Sequence, residues 1–377
     1  MTNLGCMPLV NFIQNQIQSS EFQAISFYEY MSICLYHPEH GYYVKDKNKI
    51  GKEGDFYTSS SIGTIMGGTL AKFISRQSKN IEGQEFSLVE WGGGTGRLTK
   101  HVLDELYENH KDVYDLIHFI SIEESSFHKQ LQAENLAEHQ AKVQFLTNEE
   151  WLNMDCDENV ILYSNELLDA FPVHRLIYDQ KEIYELFVGW SENEGKFIEK
   201  YMKCTNEALL SYVQQEGLSL NQGQRFEINL DAMNWLKKQM KSLESKKFAV
   251  IITIDYGDLN NEVYASHRMD GTFMCYYKHL ASDKPFDHIG EQDMTSHVNF
   301  STGIRTGESL GFNDWSYMTQ KEFLIQNGIL DQLQQHDFTD PFHPTAKKNR
   351  AIRQLLLSDQ MSELFKVLIQ KKNYKKG

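Results

Sequence analysis

The chain is expected to fold as an α/β protein around a mostly parallel sheet, and three observations carry that expectation. Short apolar runs at 86–91, 116–122, 143–146, 160–166 and 247–257 alternate with helix-competent stretches at 97–109 and 125–139, the pattern of strands covered on both faces. The first run breaks into Gly92-Gly93-Gly94-Thr95-Gly96 directly before a helix, the layout of a loop where main chain meets a ligand. The first two runs also close on acids, Glu90 and Glu123, at the strand ends where open sheets bind their ligands.

Ahead of the sheet, residues 8–45 read as a helical element, with PLVNFIQNQIQSS carrying apolar residues at helical spacing. Ser26-Phe27-Tyr28-Glu29 is a loose capping box for a second helix that stops at His37-Pro38. His37 and His40 belong to a turn by composition and are not read as metal ligands. In 50–74, Gly51 and Gly54 lead through Asp55 and two aromatics to N-capping residues at Thr58–Ser61. This polar and aromatic stretch is expected to form a lid, from which Asp55 reaches a substrate.

Between the fourth and fifth strands, 175–245 reads as an inserted α+β subdomain. RLIYDQKEIYELFVGW alternates like a hairpin, KFIEKYMKC like a strand, and INLDAMNWLKKQMKSLES like an amphipathic helix. A further strand is expected at 271–280, and 320–372 is expected to be mostly helical. The boundaries expected on this reading are 1–75 for the N-terminal element and lid, 76–174 with 246–377 for the core, and 175–245 for the insertion.

A net charge of −15 without a basic stripe in the main body argues against a nonspecific nucleic-acid binder. The basic stretch QKKNYKKG at 370–377 reads as a solvated helix end or frayed tail. Cysteines 6, 34, 156, 204 and 275 form no C-x-x-C pair, so neither a disulfide framework nor a zinc site is indicated. Without an apolar run of membrane-spanning length or a targeting signal at the N-terminus, a cytoplasmic location is expected and no membrane partner. Oligomeric state is not encoded in any of these features.

The glycine spacing selects the ligand. A dinucleotide loop needs a third glycine where this chain has the bulky Arg97, which disfavours a dehydrogenase. What stands here is E-x-G-x-G-x-G, and it resembles motif I of the class I S-adenosylmethionine-dependent methyltransferases. The resemblance implies that Gly92, Gly94 and Gly96, with Glu90 behind them, cradle the amino-acid part of that cofactor. Glu123 then takes the ribose hydroxyls; alternation along the strand lets only one of Glu123 and Glu124 face the ligand, and Glu123 follows the apolar run directly. At the end of the fourth run come Asn165, Glu166 and Asp169. One helical turn would place both carboxylates on one face, and such a pair suits a nitrogen nucleophile, a guanidinium above all. Asp255, Tyr256, His279, Gln292, Asp293 and His297 are further candidates for the acceptor side.

Several segments in order, FYEYMSICLYHPEHGYY, IGKEGDFYTS, VEWGGGTGRL, SNELLDAFPVHR, IDYG, GTFMCYYKH and GEQDMTSHVNF, resemble the MidA-type methyltransferases over nearly the whole chain. That resemblance implies a class I (Rossmann-like) methyltransferase fold, S-adenosyl-L-methionine as cofactor and a protein substrate methylated on arginine. Its motif residues fall on Glu90, Gly92, Gly94, Gly96, Glu123, Asn165, Glu166 and Asp169. The chain departs from the family at Gly93, where proline is usual, and at Trp91, where leucine is typical. The rival readings are a small-molecule N- or O-methyltransferase on the same fold, and a cofactor-binding assembly factor without turnover.

Overall fold

A computed structural model describes residues 4–44, 60–154, 157–335, 340, 343–357 and 363–373. The chain divides into two compact units. The core unit comprises Thr58–Leu167, Lys237–Tyr256 and Ile304–Gly377; the accessory unit comprises Met1–Tyr57, Leu168–Leu236 and Gly257–Gly303.

The core unit is built on strands β1 (Phe86–Trp91), β2 (Ile117–Ile122), β3 (Val143–Leu146), β4 (Asn159–Asn165), β5 (Phe248–Asp258), β6 (Asp314–Thr319) and β7 (Phe365–Asn373). Their spatial order is β6-β7-β5-β4-β1-β2-β3. β3, β2, β1, β4 and β5 pair in parallel, while β7 runs antiparallel to both β5 and β6. The central strands β1, β4 and β5 bury both faces. Phe86, Leu88, Phe119, Ile161, Tyr163, Val250, Ile252 and Val367 pack on one face with Leu70, Ile74, Val102, Leu106, Ile352 and Leu355 from helices Ser60–Ser78, Arg97–Asn109 and Pro344–Leu357. On the other face Val89, Ile120, Val160, Leu162, Ile251 and Leu368 are equally buried. Each such side chain contributes roughly 1.5–3 kcal/mol through removal from water, which is why near-continuous apolar runs mark these strands.

In the accessory unit, strands Ala24–Ser26, Glu182–Ser191, His174–Asp179 and Gln224–Ile228 lie side by side in that order, with Lys196–Lys203 also paired to Glu182–Ser191. All these pairings are antiparallel. Helices Met7–Ser19 and Phe27–Tyr36 bury Leu9, Ile13, Phe27, Tyr30 and Met31 against Leu186, Val188, Phe197 and Phe273. The capping box at Ser26 is complete: its hydroxyl accepts from the Glu29 amide, and Glu29 accepts from the Ser26 amide.

Three expectations change, and a fourth lies outside the described residues. The N-terminal element and the insertion are not separate bodies, because strand Ala24–Ser26 adds an edge to the inserted sheet, and 257–303 joins them rather than the core. The last segment is strand β7 and not helix or tail; its Val367, Leu368 and Ile369 are buried. The single strand at 271–280 is instead a hairpin of Met274–Tyr277 and Leu280–Ser282, turned by Lys278 and His279 at φ 48° and 66°. Finally, Asp55 and its lid stretch at 50–59 lie outside the described residues.

Candidate active site

The parallel register brings three strand ends together in the core unit. Trp91 of β1 stands opposite Ile122 of β2 and Ser164 of β4, so the glycine loop, Glu123 and Asn165 all follow at one edge. β1 is where the strand order reverses direction, the place where open α/β sheets bind ligands.

The loop is shaped by glycine conformations and tight approaches. Gly92, Gly94 and Gly96 have φ of 71°, 52° and 75°, the left-handed region that L side chains avoid. A Cβ on Gly92 would stand 2.7 Å from Leu167 Cδ1, and one on Gly93 would collide with the Glu90 carboxylate. The departure at Gly93 therefore matches the placement of Glu90. The Gly92 amide is spent on the Ile122 carbonyl at 2.9 Å and the Gly96 amide on the Gly93 carbonyl at 2.8 Å. Those of Gly94 and Thr95 donate to no other described residue. Gly96 also caps helix Arg97–Asn109 without a side-chain bond and with no acid in its first turn, so that end of the helix favours an anionic group.

Behind the loop, Glu90 is buried and accepts a hydrogen bond from the Thr99 hydroxyl; Thr99 Oγ1 is 3.3 Å from the Tyr163 hydroxyl. Burial pushes its carboxyl up to about 7, against the opposing pull of Thr99 and Tyr163. Glu123 follows β2 and is 8% exposed. Its Oε1 accepts from the Ser125 amide at 2.9 Å, yet burial again dominates and raises it to about 7. Glu124 points elsewhere and accepts from the Asn148 amide at 2.9 Å, as strand alternation requires. A cradle of left-handed glycines, an uncapped helix start and a buried acid one strand over fit S-adenosylmethionine, with its carboxylate, sulfonium and ribose.

The end of β4 is different in character. Asn165 donates from Nδ2 to Glu166 Oε1 at 3.1 Å. Glu166 carries φ 51°, a left-handed backbone on a non-glycine residue, pinned by its own amide donating to the Ile254 carbonyl at 2.9 Å. The Leu167 amide donates to Asp255 Oδ2 at 3.2 Å. The helical turn expected over 166–169 is absent: the chain bends instead, and Glu166 and Asp169 fall in different compact units. In the accessory unit Asp169 is 3% exposed and its carbonyl accepts from the Ser296 amide. There, too, Asp293 accepts from the Tyr43 hydroxyl at 2.7 Å, Gln292 donates to the carbonyls of Lys284 and Pro285, and the His297 amide donates to Thr272. Asp255 is fully buried and serves the Leu167 and Tyr256 amides.

The residues that fix this geometry but escaped sequence reasoning are Thr99, Tyr163, Gln132 and Asn135. Gln132 Nε2 donates to the Gly94 carbonyl at 2.9 Å and Asn135 Nδ2 to that of Thr95 at 2.8 Å. The only sequence signal for Thr99, Gln132 and Asn135 is their position on the helices that follow β1 and β2, and for Tyr163 its place in the apolar run of β4. Among the described residues, no group of His, Cys, Asp and Glu is placed to hold a metal ion, and no helix is long and apolar enough to cross a membrane.

This strand order, with a glycine cradle after β1 and a buried acid after β2, defines a class I S-adenosylmethionine-dependent methyltransferase. A family model described as "Putative S-adenosyl-L-methionine-dependent methyltransferase" matches residues 69–318, and the chain belongs to that family, the MidA type. It is 25% identical over 347 residues to the mouse "Protein arginine methyltransferase NDUFAF7, mitochondrial", covering 85% of this chain and 74% of that protein. The Drosophila melanogaster homologue of that protein is 24% identical over 303 residues, 75% of this chain. The chain spans 66% of the fly protein's length, just under two thirds. A crystal structure from Burkholderia thailandensis, described as a likely methyl transferase bound to S-adenosyl-homocysteine, superposes with a TM-score of 0.82 at 26% identity, covering 97% of this chain and 92% of that one. A native crystal structure from the same organism matches equally well at 27% identity. The chain is thus an S-adenosylmethionine-dependent methyltransferase.

Proposed function

We propose that the methyl group goes to a side-chain nitrogen of a protein, with arginine as the acceptor that the names of the mouse and fly relatives support. The observation that carries this is Glu166, whose carboxylate is oriented by Asn165 on a backbone held at φ 51°. Strained non-glycine backbone persists where the surroundings over-determine it, and it gathers at functional sites.

The bound cofactor supplies an electrophilic methyl on a sulfonium. Every other task falls to the chain. Gly92, Gly94 and Gly96, backed by Glu90, hold the methionine end through main chain, and Glu123 accepts from the ribose hydroxyls. Asn165 keeps Glu166 in one rotamer. Glu166 grips and polarises the acceptor nitrogen, and takes up its charge as the lone pair is presented to the methyl carbon. Asp169 and Asp55, the latter in the stretch outside the described residues, stay acceptor-side candidates from the sequence alone. We keep a cytoplasmic location as part of this proposal; the free thiols of Cys6, Cys34, Cys204 and Cys275 support a reducing compartment.

The test supplies labelled S-adenosylmethionine and the enzyme to extract from cells lacking it. Label in a protein band that yields methylarginine on hydrolysis is the expected result. Label confined to small solutes would replace the protein acceptor with a metabolite. No transfer at all, with cofactor binding intact, would leave a cofactor-binding assembly factor.

A further inference from the structure

Gln132 sits fully buried on helix Ser126–Asn135, and each polar atom of its amide is committed. Nε2 donates to the Gly94 carbonyl at 2.9 Å and to Glu123 Oε2 at 3.4 Å, while Oε1 accepts from the Ser121 hydroxyl. The Gly94 carbonyl can only accept, so the amide has one workable orientation; a flipped amide would set oxygen against oxygen there. The helix is also pressed onto the loop end, because a Cβ on Gly96 would stand 3.0 Å from Gln132 Cγ and 3.3 Å from its Cα. One turn on, Asn135 holds the Thr95 carbonyl.

We infer that Gln132 is a positioning residue that ties the ribose-side acid to the glycine loop, so that both ends of the cofactor are recognised in one fixed geometry. This rests on reading Glu123 and Gly92–Gly96 as the cofactor cradle. The amide does what a hydroxyl or an apolar side chain of that size would not. Its two hydrogens diverge, one towards the part-buried Gly94 carbonyl, the other towards a carboxylate whose charged form a donor favours. Burial dominates at Glu123 and raises it; the Ser125 and Glu124 amides and Lys129 favour the charge, the Glu124 carboxylate opposes it, and His128 Nδ1 stands 4.0 Å away. Glu90, beneath the loop, in turn feels the charge of Glu123.

Calorimetric titration of the ligand-free protein with S-adenosylmethionine tests this, alongside thermal melts of each variant. Gln132→Ala is expected to melt cooperatively and to bind roughly tenfold more weakly, the loss of about one hydrogen bond to a charged group. Gln132→Glu keeps the size but must hold a proton to donate to the Gly94 carbonyl. Its affinity is therefore expected to fall at least tenfold from pH 7 to pH 9, whereas that of the wild type rises about twofold as Glu123 finishes ionising. A folded Gln132→Ala with wild-type affinity overturns the inference. Should that variant fail to fold, a Gln132→Glu profile parallel to the wild type overturns it instead. Glu123→Ala separates the two layers: unchanged affinity there removes the cradle reading itself, whereas weak binding there with both Gln132 variants unaffected removes only the role of Gln132.

Discussion

The two corners of the site in the core unit solve opposite problems. At the ends of β1 and β2, left-handed backbone is confined to Gly92, Gly94 and Gly96, and the loop carbonyls are held by Gln132 and Asn135. At the end of β4 the same left-handed backbone falls on Glu166, at a cost of about 1–2 kcal/mol that glycine would avoid. The first corner spends nothing on side chains in the loop and so lets main chain approach a ligand. The second accepts strain to keep a carboxylate at a fixed place. On the proposed reading, the contrast separates a corner that binds the cofactor from one that acts on the acceptor.

The largest effect should come from removing the charge at the strained corner. Glu166→Gln is expected to lower kcat/KM for the protein acceptor roughly a hundredfold or more, with cofactor affinity by calorimetry unchanged. Glu166→Gly should be as inactive yet melt at a higher temperature, because it sheds the backbone strain. Full activity in either variant would make the strain at residue 166 a feature of folding alone.

The next effect belongs to the binding corner and concerns stability. Burial raises Glu90 from 4.5 to about 7 in the folded chain, so the fold favours its protonated form. That stabilisation is complete below pH 4.5, declines as pH rises through about 7, and is level above it. Glu90→Gln, which keeps an acceptor for Thr99, should therefore match the wild type near pH 4.5 and exceed it by up to about 3 kcal/mol at pH 8. Chemical denaturation at both pH values measures this; an equal difference at each would show that Glu90 does not titrate in that window.

Glu123 yields a smaller, opposite pH trend in binding. It too is raised to about 7 by burial, and only its charged form accepts from two hydroxyls. Cofactor affinity should rise roughly tenfold between pH 6 and pH 8. A flat profile in calorimetry would point to ribose recognition by another group.

How much of this was legible in the sequence follows the same divide. The strands β1 to β5 lie within a residue or so of the apolar runs, because the central strands β1, β4 and β5 are buried along nearly their whole length and read as near-continuous apolar runs. The glycine loop was legible because positive φ restricts the residue type. β7 was not: its apolar core of Phe365–Ile369 is short, ends in lysines and reads equally as a helix. Nor was the bend at 166–169, where spacing suggested a helical turn but the Glu166 and Leu167 amides are taken by β5 through Ile254 and Asp255. Gln132 and Thr99 carry no motif at all; only tertiary placement turns ordinary helix residues into partners of the loop and the strand-end acid.

The smallest effect probes the link between the corners. Asn165 ends β4 opposite Ile254, and its amide donates 3.1 Å to Glu166 Oε1. It is only partly buried, so water replaces much of what is lost when it is removed. Asn165→Ala should leave the fold and the Glu166 backbone unchanged, since the Ile254 carbonyl and Asp255 hold that backbone independently. What it frees is the carboxylate rotamer, and a freed rotamer costs orientation and not charge. The expected loss in kcat is therefore about threefold to tenfold, with KM for the cofactor unaltered. Asn165→Asp sharpens the point: it keeps the shape but sets a like charge beside Glu166, and should fall below the alanine variant at pH 8 while approaching it at pH 5. Equal activity of the two variants across that range would mean that residue 165 does not face the Glu166 carboxylate during turnover.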